Sequence, residues 1–240
     1  MDKQKYLKLL EKNPHKIVWK SLSGNPVAIH LINKMFEENP NKINWMYLST
    51  NPAAMHLINK MLETNPNIIN WDYLCINPNP EAIRLLEANP NKIDWHLLSA
   101  NPAAIELLEE NPDKIDWSTL SINPAAIHLI EANPDKIHWE YLTMNLAAIH
   151  LINEMLEENP DKINWSNLSY NPEAMHLINK MLETNPDKID WSTLSANPAA
   201  IELLEENQDK INWSQFCLSN VVYEYYLEHI KSNSVEYILK

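Results

Sequence analysis

The 240-residue sequence predicts an all-α solenoid of nine repeats, each of 22–28 residues and built from a long helix followed by a short one. Three observations carry that prediction. All nine tryptophans, at 19, 45, 71, 95, 117, 139, 165, 191 and 213, occupy one slot of a recurring unit whose clearest copy, from Asn101 to Ser121, reads NPAAIELLEENPDKIDWSTLS. All sixteen prolines follow an asparagine. The spacing from one tryptophan to the next runs 26, 26, 24, 22, 22, 26, 26 and 22. The two main spacings differ by four residues, about one turn of a helix with ~3.6 residues per turn.

The extra four residues lie in the first half of the unit: NPAAMHLINKMLETNP at 51–66 against NPAAIELLEENP at 101–112. An insertion of one turn lengthens a helix while keeping its apolar face in phase, so this half is helical. Asparagine caps its start at Asn25, Asn51, Asn79, Asn101, Asn123, Asn145, Asn171 and Asn197, with proline in the first helical position after all but Asn145. Apolar residues follow at helical spacing, as in Met55, Ile58, Met61 and Leu62. The next Asn-Pro ends the helix, because a residue before proline avoids helical geometry.

In the second half, Ile stands two residues before Trp in all nine copies, and Leu three after it in eight, with Phe216 in the ninth. Between Ile and Trp sits Asn or Asp in seven copies, for example Asn44, Asp116 and Asn164, which predicts an N-cap for a short second helix. The Ile-x-Trp alternation also allows a very short strand, and with it a leucine-rich-repeat-like α/β arc. That family's L-x-x-L-x-L frame is absent. Residues 1–219 thus read as nine repeats in one elongated domain, the first acting as an N-terminal cap, and 220–240 as a C-terminal capping helix. The doubled Asn-Pro at 77–80 adds two residues and predicts a small dislocation. Leu146 and Gln208 replace prolines behind retained asparagines.

The formal charge of −13, from 32 acidic and 19 basic residues, opposes binding to a phosphate backbone or an anionic membrane surface. No apolar run reaches the ~20 residues that span a bilayer. Two cysteines, Cys75 and Cys217, stand where most repeats have serine and read as small core residues of a protein in a reducing compartment. A soluble intracellular protein is expected.

Five histidines recur at one helix position, His30, His56, His128, His150 and His176, exchanging with Arg84, Glu106 and Glu202. Stacked repeats hold equivalent side chains a helix spacing apart, too far for the ~2 Å bonds of one metal site, so this is a surface column. Glutamate eight residues before each Trp and lysine three before eight of them read as inter-repeat or turn-stabilising pairs. No G-x-S-x-G, P-loop, H-E-x-x-H or Gly-rich dinucleotide turn occurs. No catalytic residue, cofactor or metal is predicted. The strict Ile and Leu partners of each Trp point to core packing rather than base stacking.

What varies while the scaffold holds still is the pair after each Trp. Tyrosine and methionine are enriched in interfaces, and the candidate interaction surface is therefore Met46, Tyr47, Asp72, Tyr73, Glu140 and Tyr141.

The motif K-I-[ND]-W-x-x-L-S-x-N-P-x-A, as at 92–104 and 162–174, resembles a repeat family of large DNA viruses of protists. The resemblance covers nearly the whole chain. It implies a viral gene product, in the host cytoplasm or packaged in the virion, and brings no catalytic residues with it. Segments 51–66 and 171–186 differ only at Ala53 versus Glu173, the mark of duplication. The function expected is a non-enzymatic scaffold for protein–protein interaction with a host or viral protein. The alternative is a self-assembling structural or virion-associated repeat protein, and the third reading is an RNA-binding helical repeat.

Overall fold

A computed structural model describes residues 3–216. The chain forms two compact units, divided between Ile115 and Asp116. Within each, the same helix pair recurs every 22–26 residues, and no strand occurs among the described residues. The fold is the predicted all-α repeat architecture. The capping helix expected at 220–240 lies outside the described residues, as does Cys217.

Most first-half helices begin as a single 3₁₀ turn on the proline, as at Pro52–Ala54, and continue as α-helix, while Pro80–Glu87 is α-helical from its proline. The α segment has ten residues in long repeats, Met55–Thr64 and Met175–Thr184, and six in short ones, Ile105–Glu110 and Ile127–Ala132. The four-residue insertion is therefore one added turn. The capping asparagine accepts the N–H two residues on: Asn51 from Ala53, Asn123 from Ala125, Asn171 from Glu173, each at 3.0 Å. Asn145 still accepts from Ala147 at 2.9 Å although Leu146 replaces proline, and only the 3₁₀ geometry is lost.

The asparagine that closes each helix works differently. It takes extended φ near −130° to −157° and caps nothing N-terminally. In the short repeats its Nδ2 instead donates back to the carbonyl four residues earlier, as Asn89 does to Leu85 and Asn207 to Leu203. A second proline-led 3₁₀ turn follows, then two extended residues, then the Trp helix.

Those two extended residues are where a leucine-rich-repeat-like arc needs a strand. Their outward N–H is taken by a side chain instead: Asn44 N–H donates to Ser23 Oγ at 3.0 Å, His138 to Ser121 at 3.1 Å and Asn212 to Ser195 at 2.9 Å. With the donor spent on the previous layer's hydroxyl, no ladder forms. The predicted caps are present, Asn44 accepting from Tyr47, Asn70 from Tyr73, Asp94 from Leu97 and Asn164 from Asn167. Val18 and His138 give none.

The layers are stitched by an asparagine ladder. The Nδ2 of the asparagine that opens a first-half helix donates to the backbone of the preceding layer, Asn51 to the Ser23 carbonyl at 3.0 Å and Asn171 to that of Thr143 at 3.1 Å. Asn145 reaches both the Ser121 and Asn123 carbonyls at 3.0 Å. At the doubled Asn-Pro both duties are duplicated: Asn77 accepts from the Asn79 N–H at 2.9 Å, and Asn79 donates to the Pro52 carbonyl at 2.7 Å. Asn77 also donates to the Ser49 carbonyl, and Asn79 caps the helix Pro80–Glu87 through Glu81.

The core consists of columns of fully buried Ala, Leu and Ile: Ala54 and Ala174 after the proline, Leu48 and Leu168 in the Trp helix, Ile58 and Ile178 in the long helix. The tryptophans are less uniform than core residues should be. Trp45 and Trp165, at 9% and 8% exposure, are buried, each between two ten-residue helices. Phe36 meets Trp45 edge-on at 6.0 Å, and Met181 and Leu182 join the cluster around Trp165. Elsewhere a face of the indole stays half open, and Trp213 is 59% exposed.

Candidate interaction surface

The Trp helices of successive layers pack side by side and present the variable pair on one face of each unit. Asp72, Glu140 and Tyr141 are exposed, while Met46, Tyr47 and Tyr73 are half-buried. The six residues fall into two groups. Met46, Tyr47, Asp72 and Tyr73 lie on consecutive Trp helices of the first unit, and Glu140 and Tyr141 belong to the second. Tyr47 carries the Lys20 ammonium over its ring at 5.9 Å, and Tyr141 stacks on the His138 imidazole at 4.5 Å.

Sequence reasoning missed the position five residues after Trp. Met144 and Tyr170, in adjacent layers, are 36% and 42% exposed and extend the Tyr141 surface. The signal was available, because this is the variable residue inside L-S-x-N-P.

In three layers the first residue after Trp also reaches the next layer's cap. In the second unit Asn164 Nδ2 donates to Glu140 Oε1 at 3.2 Å, Ser166 Oγ to Asp190 Oδ2 at 2.6 Å, and Asn212 Nδ2 to Ser192 Oγ at 2.8 Å. Partial burial works to raise the pKa of Asp190. The Ser166 hydroxyl, the Thr193 and Ser192 N–H groups and the Thr193 hydroxyl outweigh it and hold the carboxyl below its ordinary value.

Two columns expected to pair with each other find other partners. Lysines three before Trp stand over the previous layer's indole: Lys136 on Trp117 and Lys210 on Trp191, both at 4.4 Å, and Lys162 on Trp139 at 5.8 Å. Lys188 reaches Asp161 at 3.9 Å. The glutamates meet the histidine column instead, Glu11 with His30 at 3.2 Å and Glu131 with His150 at 2.7 Å. All five column histidines are exposed, and among the described residues no group of three or more His, Cys, Asp or Glu is placed to hold a metal ion.

Cys75 is fully buried and accepts from the Asp94 N–H at 3.3 Å, as serine does in other layers. Burial, with Asp94 and Asp72 adding like charge, pushes its thiol up to about 11, so it stays protonated. No helix of the described residues is long and apolar enough to cross a membrane. Comparison with protein-family models, curated proteins and solved structures finds no match to the chain.

Proposed function

We propose that the chain is a non-enzymatic repeat scaffold whose work is protein–protein interaction, with a host or viral protein as partner. One observation supports this reading above the rest. The asparagine bonds that join the layers land on backbone carbonyls, so the Trp-helix face varies around a frame that does not depend on it. Its half-open aromatic and methionine side chains are of the kind that anchor interfaces.

Affinity capture from host lysate with the intact chain, run beside the Tyr47→Ala/Tyr73→Ala variant, tests it. A partner retained by the first and lost by the correctly folded second is the expected result. No partner, or one indifferent to both changes, counts against this face. The self-assembling structural protein is the second reading, favoured by the exposed Tyr141, Met144 and Tyr170. Light scattering separates the two, since concentration-dependent growth belongs to self-assembly and a monodisperse monomer to the scaffold.

A further inference from the structure

The last Trp-to-Trp interface of the first unit can be compared with its counterpart in the second. From Trp191 to Trp213 the spacing is 22 residues, and from Trp71 to Trp95 it is 24, the doubled Asn-Pro supplying the difference. In the shorter interface Lys210 lies 4.4 Å over Trp191, and Asn212 donates to Ser192. In the longer one a cleft of about 610 Å³ opens, lined by Trp71, Asp72, Asn91, Lys92 and Asp94, with no lysine within ring-contact distance of Trp71 among the described residues.

The polar pair changes with it. Where the second unit sets a donor against an acceptor, Glu140 with Asn164, Ser166 with Asp190 and Ser192 with Asn212, the same two positions in this cleft are Asp72 and Asp94, both in its lining. Two carboxylates cannot satisfy one another, and with Lys92 the lining carries a net charge of −1. An aromatic floor, two acceptor-only groups and an excess of negative charge match one kind of guest. A guanidinium is planar, stacks on indole and donates up to five hydrogen bonds in a fork that suits carboxylates.

We propose that this cleft receives an arginine side chain presented by a partner protein, seated on Trp71 and bound by Asp72 and Asp94. The chain's own lysines on Trp117, Trp139 and Trp191 are the internal precedent for a cation on that ring position. The proposal rests on the protein-interaction reading and specifies the partner's chemistry.

The test is titration of the full chain with the peptide acetyl-Gly-Arg-Gly-amide, read at the indole N–H resonances, with Trp71→Phe identifying the Trp71 signal. A saturable shift of that signal is expected. It should weaken by about tenfold in Asp72→Asn, equivalent to ~1.4 kcal/mol, and in about 0.5 M salt, where exposed charge is screened. Asp94→Asn, which keeps a competent cap, should weaken it as well. The neutral citrulline peptide should leave the signal in place. The idea fails if citrulline acts equally, if neither Asp variant matters, if no shift occurs, or if magnesium or calcium chloride displaces the peptide at low millimolar levels. A captured partner indifferent to Trp71→Ala and Asp72→Asn sinks the cleft proposal while the scaffold reading stands. Peptide binding with no partner captured by any variant supports the cleft and sinks the scaffold reading.

Discussion

Two asparagines of one repeat show how the same residue type is held to different standards. Asn164 caps a Trp helix through Oδ1 near the surface, and aspartate serves equally at Asp94, Asp116 and Asp190. Asn171 is buried, and besides capping it must donate from Nδ2 to the Thr143 carbonyl. Asn164→Asp should therefore change stability by less than about 0.5 kcal/mol. Asn171→Asp keeps the cap acceptor but sets a buried carboxylate against a carbonyl, and should cost roughly 3 kcal/mol or more in chemical denaturation. Equal costs would refute the ladder. The distinction was legible, since the residue before Trp alternates between Asn and Asp while the Asn-Pro position admits only Asn. Capping alone does not explain that restriction. The missing reason is the partner across the layer, which no local pattern displays.

At the scale of elements, the added turn decides how far an indole is buried. Trp165→Ala, between two ten-residue helices, should cost ~3–5 kcal/mol. Trp117→Ala, with its ring partly open under Lys136, should cost roughly 2 kcal/mol by the smaller apolar area it hides. Thermal unfolding of the two variants orders them, and the reverse order would undo the account. The Asp190 cap adds a pH test. Its folded carboxyl titrates below the unfolded one, so its stabilisation is present above the unfolded value of ~3.9 and is lost as pH falls through the folded pKa. Asp190→Ala should cost about 1–2 kcal/mol at pH 7, a gap that closes in acid; a gap constant down to pH ~2 would show that the charge plays no part. Helix identity, ends and caps were readable because each rests on bonds within a few residues. Burial of Trp45 and Trp165 was not, because it depends on the length of the helix in the following layer. Nor was the Lys-on-Trp contact, which joins residues from different repeats.

For the whole molecule, the charge of −13 is unevenly shared. Residues 1–115 carry 13 acidic and 12 basic side chains, and residues 116–240 carry 19 and 7. Self-repulsion therefore burdens the second unit, and salt relieves it. Raising sodium chloride from about 20 to 300 mM should increase amide-exchange protection in 116–216 more than in 3–115; an equal gain would mean that charge does not limit the second unit. The asparagine ladder has a further consequence, in how such a chain lengthens. Its bonds land on main-chain carbonyls, which every amino acid provides, so a newly copied layer meets an acceptable neighbour wherever it is inserted. Gene duplication can then extend the array without a matching set of compensating mutations. The near-identity of 51–66 and 171–186 is what such growth leaves behind.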